Sequence, residues 1–280
     1  MSKYKLAFKT GIIASSMAAV VAHAAVIGGI DFNGSFVNAH LETATIAQTY
    51  VNGNGQSAIG YGVISTVNGA DRLDYCATPG CSLYYVATFS NSQAFSGAYV
   101  EFLETAVSVY YADVGFNLLS QSSNQNLSLI QGLTPWLTLV GHKNLGGLAS
   151  PQAEGNGSGI LTGETLSGSG YGLFDVNTLG PGLADVISKL NGNSEQDAIG
   201  GFADTTLTSS FNNSVLNRFD EENGTAAGCK NGTAVQGAWC YQGSSTLRGQ
   251  LAAEVPEPGS LALLGLGLAG LAAARRRTRA

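Results

Sequence analysis

The sequence predicts an all-β fold, a β-sandwich or jelly-roll-like domain carrying one or two short helices. Three observations point to it. Of the 38 glycines, 33 lie between Ala25 and Val255, about twice the usual share for a globular chain. Asn-Gly pairs such as Asn52-Gly53, Asn68-Gly69 and Asn191-Gly192 punctuate this stretch at intervals that suit short strands. Between them the period is two: Leu83, Tyr85, Ala87 and Phe89 alternate with Tyr84, Val86 and Thr88, as on a strand with one face in a core.

Taken in order, the chain opens with Lys3, Lys5 and Lys9, an apolar run from Gly11 to Val21, and Ala22-His23-Ala24-Ala25. A charged start, a short greasy run and an Ala-x-Ala exit predict a secretory signal peptide over 1–25, removed by signal peptidase. Ile27 to His40 reads as an opening strand region with turns at Gly28-Gly29 and Asn33-Gly34. Strands follow over Thr43–Val51, Ser57–Val67 and Leu83–Phe89. Tyr99 to Leu119 is the longest β-like run, and its apolar parity switches between Phe102 and Val107, which predicts a bulge or break near Glu104.

Ser120 to Leu133 is polar and reads as a loop, and Trp136 to Val140 as a strand. The Gly-rich stretch from Gly146 to Gly172 predicts two or three strands with flexible turns. After Pro181, Leu183, Val186, Ile187 and Leu190 fall at helical spacing, and Asn191-Gly192 stops the helix. Ser214 to Glu222 is a weaker helix candidate, and Ala234 to Leu251 the last strand region. The domain so bounded, residues 26–254, is long enough to bury a sizeable core.

Charge excludes one class of partner. The whole chain carries −6, but Ala25–Val255 holds 18 acidic against 6 basic residues, a net −12. Nucleic acids and anionic membranes need basic patches, so neither is expected as a partner of this domain.

All four cysteines lie in the predicted exported part, as suits an oxidising compartment. Cys76 and Cys81 flank Ala77-Thr78-Pro79-Gly80, which reads as a hairpin turn that brings them to bridging distance, leaving Cys229 with Cys240. The spacing is a poor match to a zinc finger, and only His40 and His142 could add ligands within the domain.

Catalytic motifs are absent. The single G-x-G-x-x-G, at Gly265, Gly267 and Gly270, sits in a greasy segment with no strand before it. No serine stands in a G-x-S-x-G elbow. His142 follows a strand end, where function often resides, but a turn residue is the commoner reading. Glu101 and Glu104 suggest a glycosidase pair, yet three positions apart on a strand they face opposite ways. No catalytic residue and no metal ligand is therefore assigned, and the domain is expected to be non-enzymatic and to need no cofactor. Calcium is the one ligand considered, because Asn191, Asn193, Glu195 and Asp197 offer oxygens at alternate positions. Trp136 and Trp239 are candidates for stacking on sugars, with the core as the default.

The last 26 residues have a different character: Val255-Pro256-Glu257-Pro258-Gly259, an apolar run from Ser260 to Ala274, and Arg275, Arg276, Arg277 and Arg279. Those 15 apolar residues rise about 22 Å as a helix, short of the roughly 30 Å hydrocarbon core. The arginines would hold the C-terminus in the cytoplasm as anchor charges. A Pro-bracketed acid, a short span and a basic end resemble the PEP-CTERM sorting signal of Gram-negative bacteria, here over 255–280. The resemblance implies recognition by an exosortase, cleavage near Val255, Pro256, Glu257 and Pro258, a transient inner-membrane intermediate, and a host that makes extracellular polysaccharide. Gly168–Val176, Asp204–Phe211 and Gly243–Gly249 are similar to patterns in other β-rich ectodomains that carry this signal. The expected function is that of an exported surface or matrix protein, with a calcium-assisted carbohydrate-binding or adhesive module second and a secreted hydrolase third.

Overall fold

The computed structural model describes residues 26–33, 37–147, 151–161, 164–213 and 236–252. Its strands are β1 (Val26–Ile27), β2 (Ile30–Asp31), β3 (Asn38–Thr49), β4 (Ala58–Val67), β5 (Ala70–Asp71), β6 (Ser82–Ser96), β7 (Tyr99–Ala112), β8 (Thr134–Gly141), β9 (Ala153–Leu161), β10 (Glu164–Val176), β11 (Glu195–Gln196), β12 (Phe202–Ala203), β13 (Thr205–Asn213) and β14 (Trp239–Gln250). Three short helices interrupt them: α1 (Arg72–Tyr75), α2 (Ser123–Gln131) and α3 (Ala184–Leu190).

The fold is a closed eight-stranded antiparallel barrel, which corrects the expected sandwich. Around the ring run β3, β4, β6, β7, then β8 with β9, then β10, β13 and β14, and β14 pairs back onto β3. What closes the ring is the β10–β13 ladder, from Ser167↔Asn212 to Phe174↔Thr205. Alternation along a strand is the same in a sandwich and in a barrel, so periodicity alone left closure undecided.

The fifth position in this order is filled by two half-strands running in the same direction. β8 pairs with β7 between Ala106↔Val140 and Tyr111↔Thr134, and β9 takes over from Phe102↔Ala153 to Tyr99↔Asn156. Gln152 bridges the junction: its N–H donates to the Phe102 carbonyl at 3.0 Å, and its Oε1 accepts from the Thr105 N–H at 2.7 Å. The break expected near Glu104 therefore lies in the neighbouring ladder. The β6–β7 register itself holds from Ser82↔Ala112 to Gln93↔Glu101.

One end of the barrel is sealed. The β1–β2 hairpin, α1 and α3 bring Ile27, Ile30, Phe32, Tyr75, Val186 and Leu190 onto the core that Leu41, Ile64, Leu83, Val109, Leu137 and Leu247 form inside the staves. Trp136 is the extra residue of a bulge, lying between the pairs Val109↔Leu137 and Tyr110↔Pro135. A bulge turns a side chain out of its normal alternation, and here the fully buried indole lies against Phe32, with ring centroids 6.5 Å apart. Its Nε1–H donates to the Gly28 carbonyl at 2.9 Å, while the Gly28 N–H donates to Asp185 at 2.8 Å. Gly28 has φ +56°, and an added Cβ would stand 2.4 Å from both the Trp136 Nε1 and Val186. This turn requires glycine on both counts.

Two local readings are corrected. Leu73 to Cys76 is not the arm of a hairpin: Asp71 caps a helical turn by accepting from the Leu73 N–H, and Cys76 follows that turn. The Cys76–Cys81 disulfide nonetheless forms. The loop expected over Ser120 to Leu133 contains α2, which opens with a capping box between Ser122 and Gln125. α2 lies on the outside of the barrel, where Ile130 joins Tyr61, Tyr84, Val86 and Trp239 in a second apolar layer. The Tyr61 hydroxyl reaches Ser123 and Asn126 beneath it. The helix read from Leu183 to Leu190 is present as α3.

Candidate functional site

Below the sealed core a few polar side chains stand among Phe89, Val107, Leu207 and Leu247 in the interior. Thr43, Thr45, Gln48, Tyr85, Ser209 and Ser245 surround a cavity of about 30 Å³. Tyr85 is hydrogen-bonded to Thr45, and burial pushes its phenol up to about 12 against the opposing pull of the Thr45 and Thr43 hydroxyls. Beyond this layer, towards the opposite end, lies a cavity of about 90 Å³. Its wall is aromatic, with Phe89, Phe95, Phe102, Phe211 and Tyr241. Phe89 meets Phe102 at 5.5 Å and Phe211 meets Tyr241 at 5.1 Å, centroid to centroid. The two cavities share Gln48, Phe89, Leu207 and Ser209.

Glycines make room for this wall. At Gly168 an added Cβ would lie 2.4 Å from the Phe211 ring, and at Gly170 2.6 Å from the Ser209 hydroxyl. The Gly-rich stretch that the sequence shows in this region therefore has a packing consequence: β10 presents backbone where β13 presents the Phe211 ring and the Ser209 hydroxyl. Among the described residues that line either cavity, Glu154 is the one charged group.

A second cluster forms where the chain leaves the barrel between β8 and β9. His142 Nδ1 lies 2.8 Å from Asp175 Oδ2, and its Nε2 3.2 Å from Asp197 Oδ2. Asp197 also accepts from the Ile199 and Gly201 N–H groups and from Asn144. An imidazole donates from both nitrogens only when protonated. Burial opposes that charge, but the hydrogen bonds to Asp175 and Asp197 outweigh it and raise the His142 pKa. Burial likewise works against the Asp197 carboxylate, yet the His142 contact and the two N–H donors bring it down to about 2. With both ring nitrogens engaged by carboxylates, the cluster ties β8, β10 and the 197–201 turn together.

The remaining candidates separate. Glu101 accepts from Gln93 and from the Tyr99 hydroxyl, whereas Glu104 is exposed and stands opposite Ser90. The cross-strand neighbour of Glu101 is Glu154, and the Tyr99 hydroxyl reaches both, at 2.9 and 3.1 Å. Burial raises the Tyr99 pKa, and both glutamates raise it further. Nothing in one strand's sequence reveals that pairing, because it depends on register. His40 stands 3.5 Å from Glu42.

Of the residues proposed for calcium, three have contacts elsewhere. Asp197 turns to His142, the Asn193 N–H donates to Asp204, and Glu195 accepts from Ser194. Among the described residues no group of three or more His, Cys, Asp or Glu side chains is placed to hold a metal. Trp136 and Trp239 are both buried. Cys240 is disulfide-bonded, while Cys229, the helix candidate Ser214–Glu222, the signal segment and the tail with Val255, Pro256, Glu257, Pro258 and its arginines lie outside the described residues. Among the described residues no helix is long and apolar enough to cross a membrane.

The tail is decided by comparison with known families. Residues 254–277 match the family model described as the PEP-CTERM protein-sorting motif. This chain carries a PEP-CTERM sorting motif. The motif implies export, processing by an exosortase, and association with the membrane or the cell surface. No curated protein and no solved structure matches the chain significantly.

Proposed function

We propose that this protein is a non-enzymatic surface or extracellular-matrix protein, associated with the exopolysaccharide layer and delivered there through its PEP-CTERM signal. Signal peptidase removes the N-terminal segment, the apolar run parks the chain in the inner membrane, and the exosortase acts near Pro256-Glu257-Pro258. The observation that carries this reading is the sorting motif at 254–277 attached to a closed, acidic β-barrel. His142 supports the non-enzymatic part, since its Nε2, the nitrogen a serine nucleophile would need, is engaged by Asp197.

The test compares the size and fractionation of the protein in host cells with and without the exosortase. A shorter, surface or extracellular form is expected only in cells that have the enzyme. Full-length membrane-bound protein in both strains would refute the reading. Binding to the host's purified polysaccharide, with and without EDTA, tests the adhesive alternative.

A further inference from the structure

The geometry points to the barrel mouth as a binding site for a small neutral molecule with an apolar body and one hydroxyl or carbonyl end. The body would lie among Phe89, Phe95, Phe102 and Phe211 in the larger cavity, and the polar end would reach Gln48 and Ser209, which the two cavities share. Three features of the site lead to this class.

The first is the character of the lining. Ligand pockets are characteristically apolar with a few placed polar groups, and the mouths of β-barrels are among their preferred positions. Here both cavities are walled mainly by apolar side chains, with rings concentrated in the outer one and a few hydroxyl and amide groups, Gln48 and Ser209 among them, placed where the two meet. The second is the space. A water needs about 10–15 Å³ measured in this way, so the 90 Å³ cavity and the 30 Å³ cavity behind it exceed a packing defect. The glycines at 168 and 170 let Phe211 and Ser209 sit back against β10. The third is charge. No cationic residue lines either cavity among the described residues, and Glu154 is the one anionic group. A carboxylate or phosphate would give up its hydration with no cation to balance its charge. Tyr85, held neutral by burial, offers a hydroxyl and no charge.

The site can be tested on the full chain in lipid nanodiscs by titration with the neutral fluorescent probe N-phenyl-1-naphthylamine, followed by displacement. Ala58→Phe, which places a ring in the cavity, provides the blank for partition into lipid. Phe95→Ala removes a half-buried rim contact without touching the sealed core, so it keeps the test decisive where Ala58→Phe does not fold. Saturable binding by the wild type is expected, weakened at least tenfold in Ala58→Phe and three- to tenfold in Phe95→Ala. Decan-1-ol is expected to displace the probe at least tenfold more effectively than decanoate at pH 8. Equal binding by the wild type and both variants, or by the wild type and a folded Phe95→Ala alone, would overturn the site. Equal displacement by decanoate would overturn the neutral class. None of these readings depends on where the sorting signal takes the protein.

Discussion

The two ends of this barrel are built from similar residues and used differently. At the sealed end aromatic and aliphatic side chains are fixed from several directions: Trp136 is stacked, hydrogen-bonded and capped by a turn that admits only glycine. At the mouth Phe89, Phe95, Phe102 and Phe211 line open volume. Buried aromatic area stabilises most where every face is in contact, because a void forfeits dispersion contacts along its lining. The sealed end therefore carries the greater share of stability per ring, and the mouth gives up some of that contribution to keep a space.

Substitutions at the two ends can break this contrast. The largest loss is expected from Trp136→Ala, about 4 kcal/mol in urea unfolding, from transfer and cavity terms. Gly28→Ala should follow at about 3 kcal/mol, combining a left-handed backbone with a clash against two buried side chains. A cost under about 1 kcal/mol at Gly28 would mean that the turn can relax and that the seal is looser than it looks.

The His142 cluster tests the stave junction. His142→Ala is expected to cost about 2 kcal/mol near pH 6 through loss of charged hydrogen bonds. The sign with pH follows from linkage. The His142 pKa is raised in the fold, so its contribution is full below its ordinary 6.5 and disappears as pH rises through the raised value. Asp197 falls from 3.8 to about 2, so its contribution is present above 3.8 and is lost as pH drops towards 2. Stability curves of wild type and variant should thus lie furthest apart between about pH 4 and 6.5 and converge on either side. Parallel curves from pH 4 to 9 would show that His142 is not held as the imidazolium.

The smallest effect belongs to the mouth. Phe95→Ala should change stability by less than about 1 kcal/mol, below the range for fully buried aromatic truncation, since its ring is only half-buried.

What could be read from the sequence was what local chemistry decides. Alternation at Leu83, Tyr85 and Ala87 gave a strand, the spacing of Leu183, Val186, Ile187 and Leu190 gave α3, and Asn68-Gly69 gave a turn with positive φ at both residues. The Cys76–Cys81 bridge does not reveal its local structure, because a separation of five positions suits a helical turn followed by a loop as well as a hairpin. α2 reads as a loop although Ser122 and Gln125 spell its capping box, since its exposed polar residues outweigh Leu127 and Ile130. Ring closure through β10 and β13, the Glu101–Glu154 pair and the assembly of His142 with Asp175 and Asp197 all depend on register between distant segments. The mouth cavity is of the same kind: its rings come from β6, β7, β13 and β14, and no segment announces an empty space. The sorting signal was legible because a membrane address is read as a linear string.

The most direct test of the division between the ends measures thermal unfolding and probe affinity together in two variants, Trp136→Leu at the seal and Phe95→Ala at the mouth. The account expects Trp136→Leu to lower the unfolding temperature while the folded protein keeps its affinity, and Phe95→Ala to lower affinity three- to tenfold with the unfolding temperature nearly unchanged. If both variants move both quantities in proportion, the two ends form a single packed core and the mouth is not a separate site.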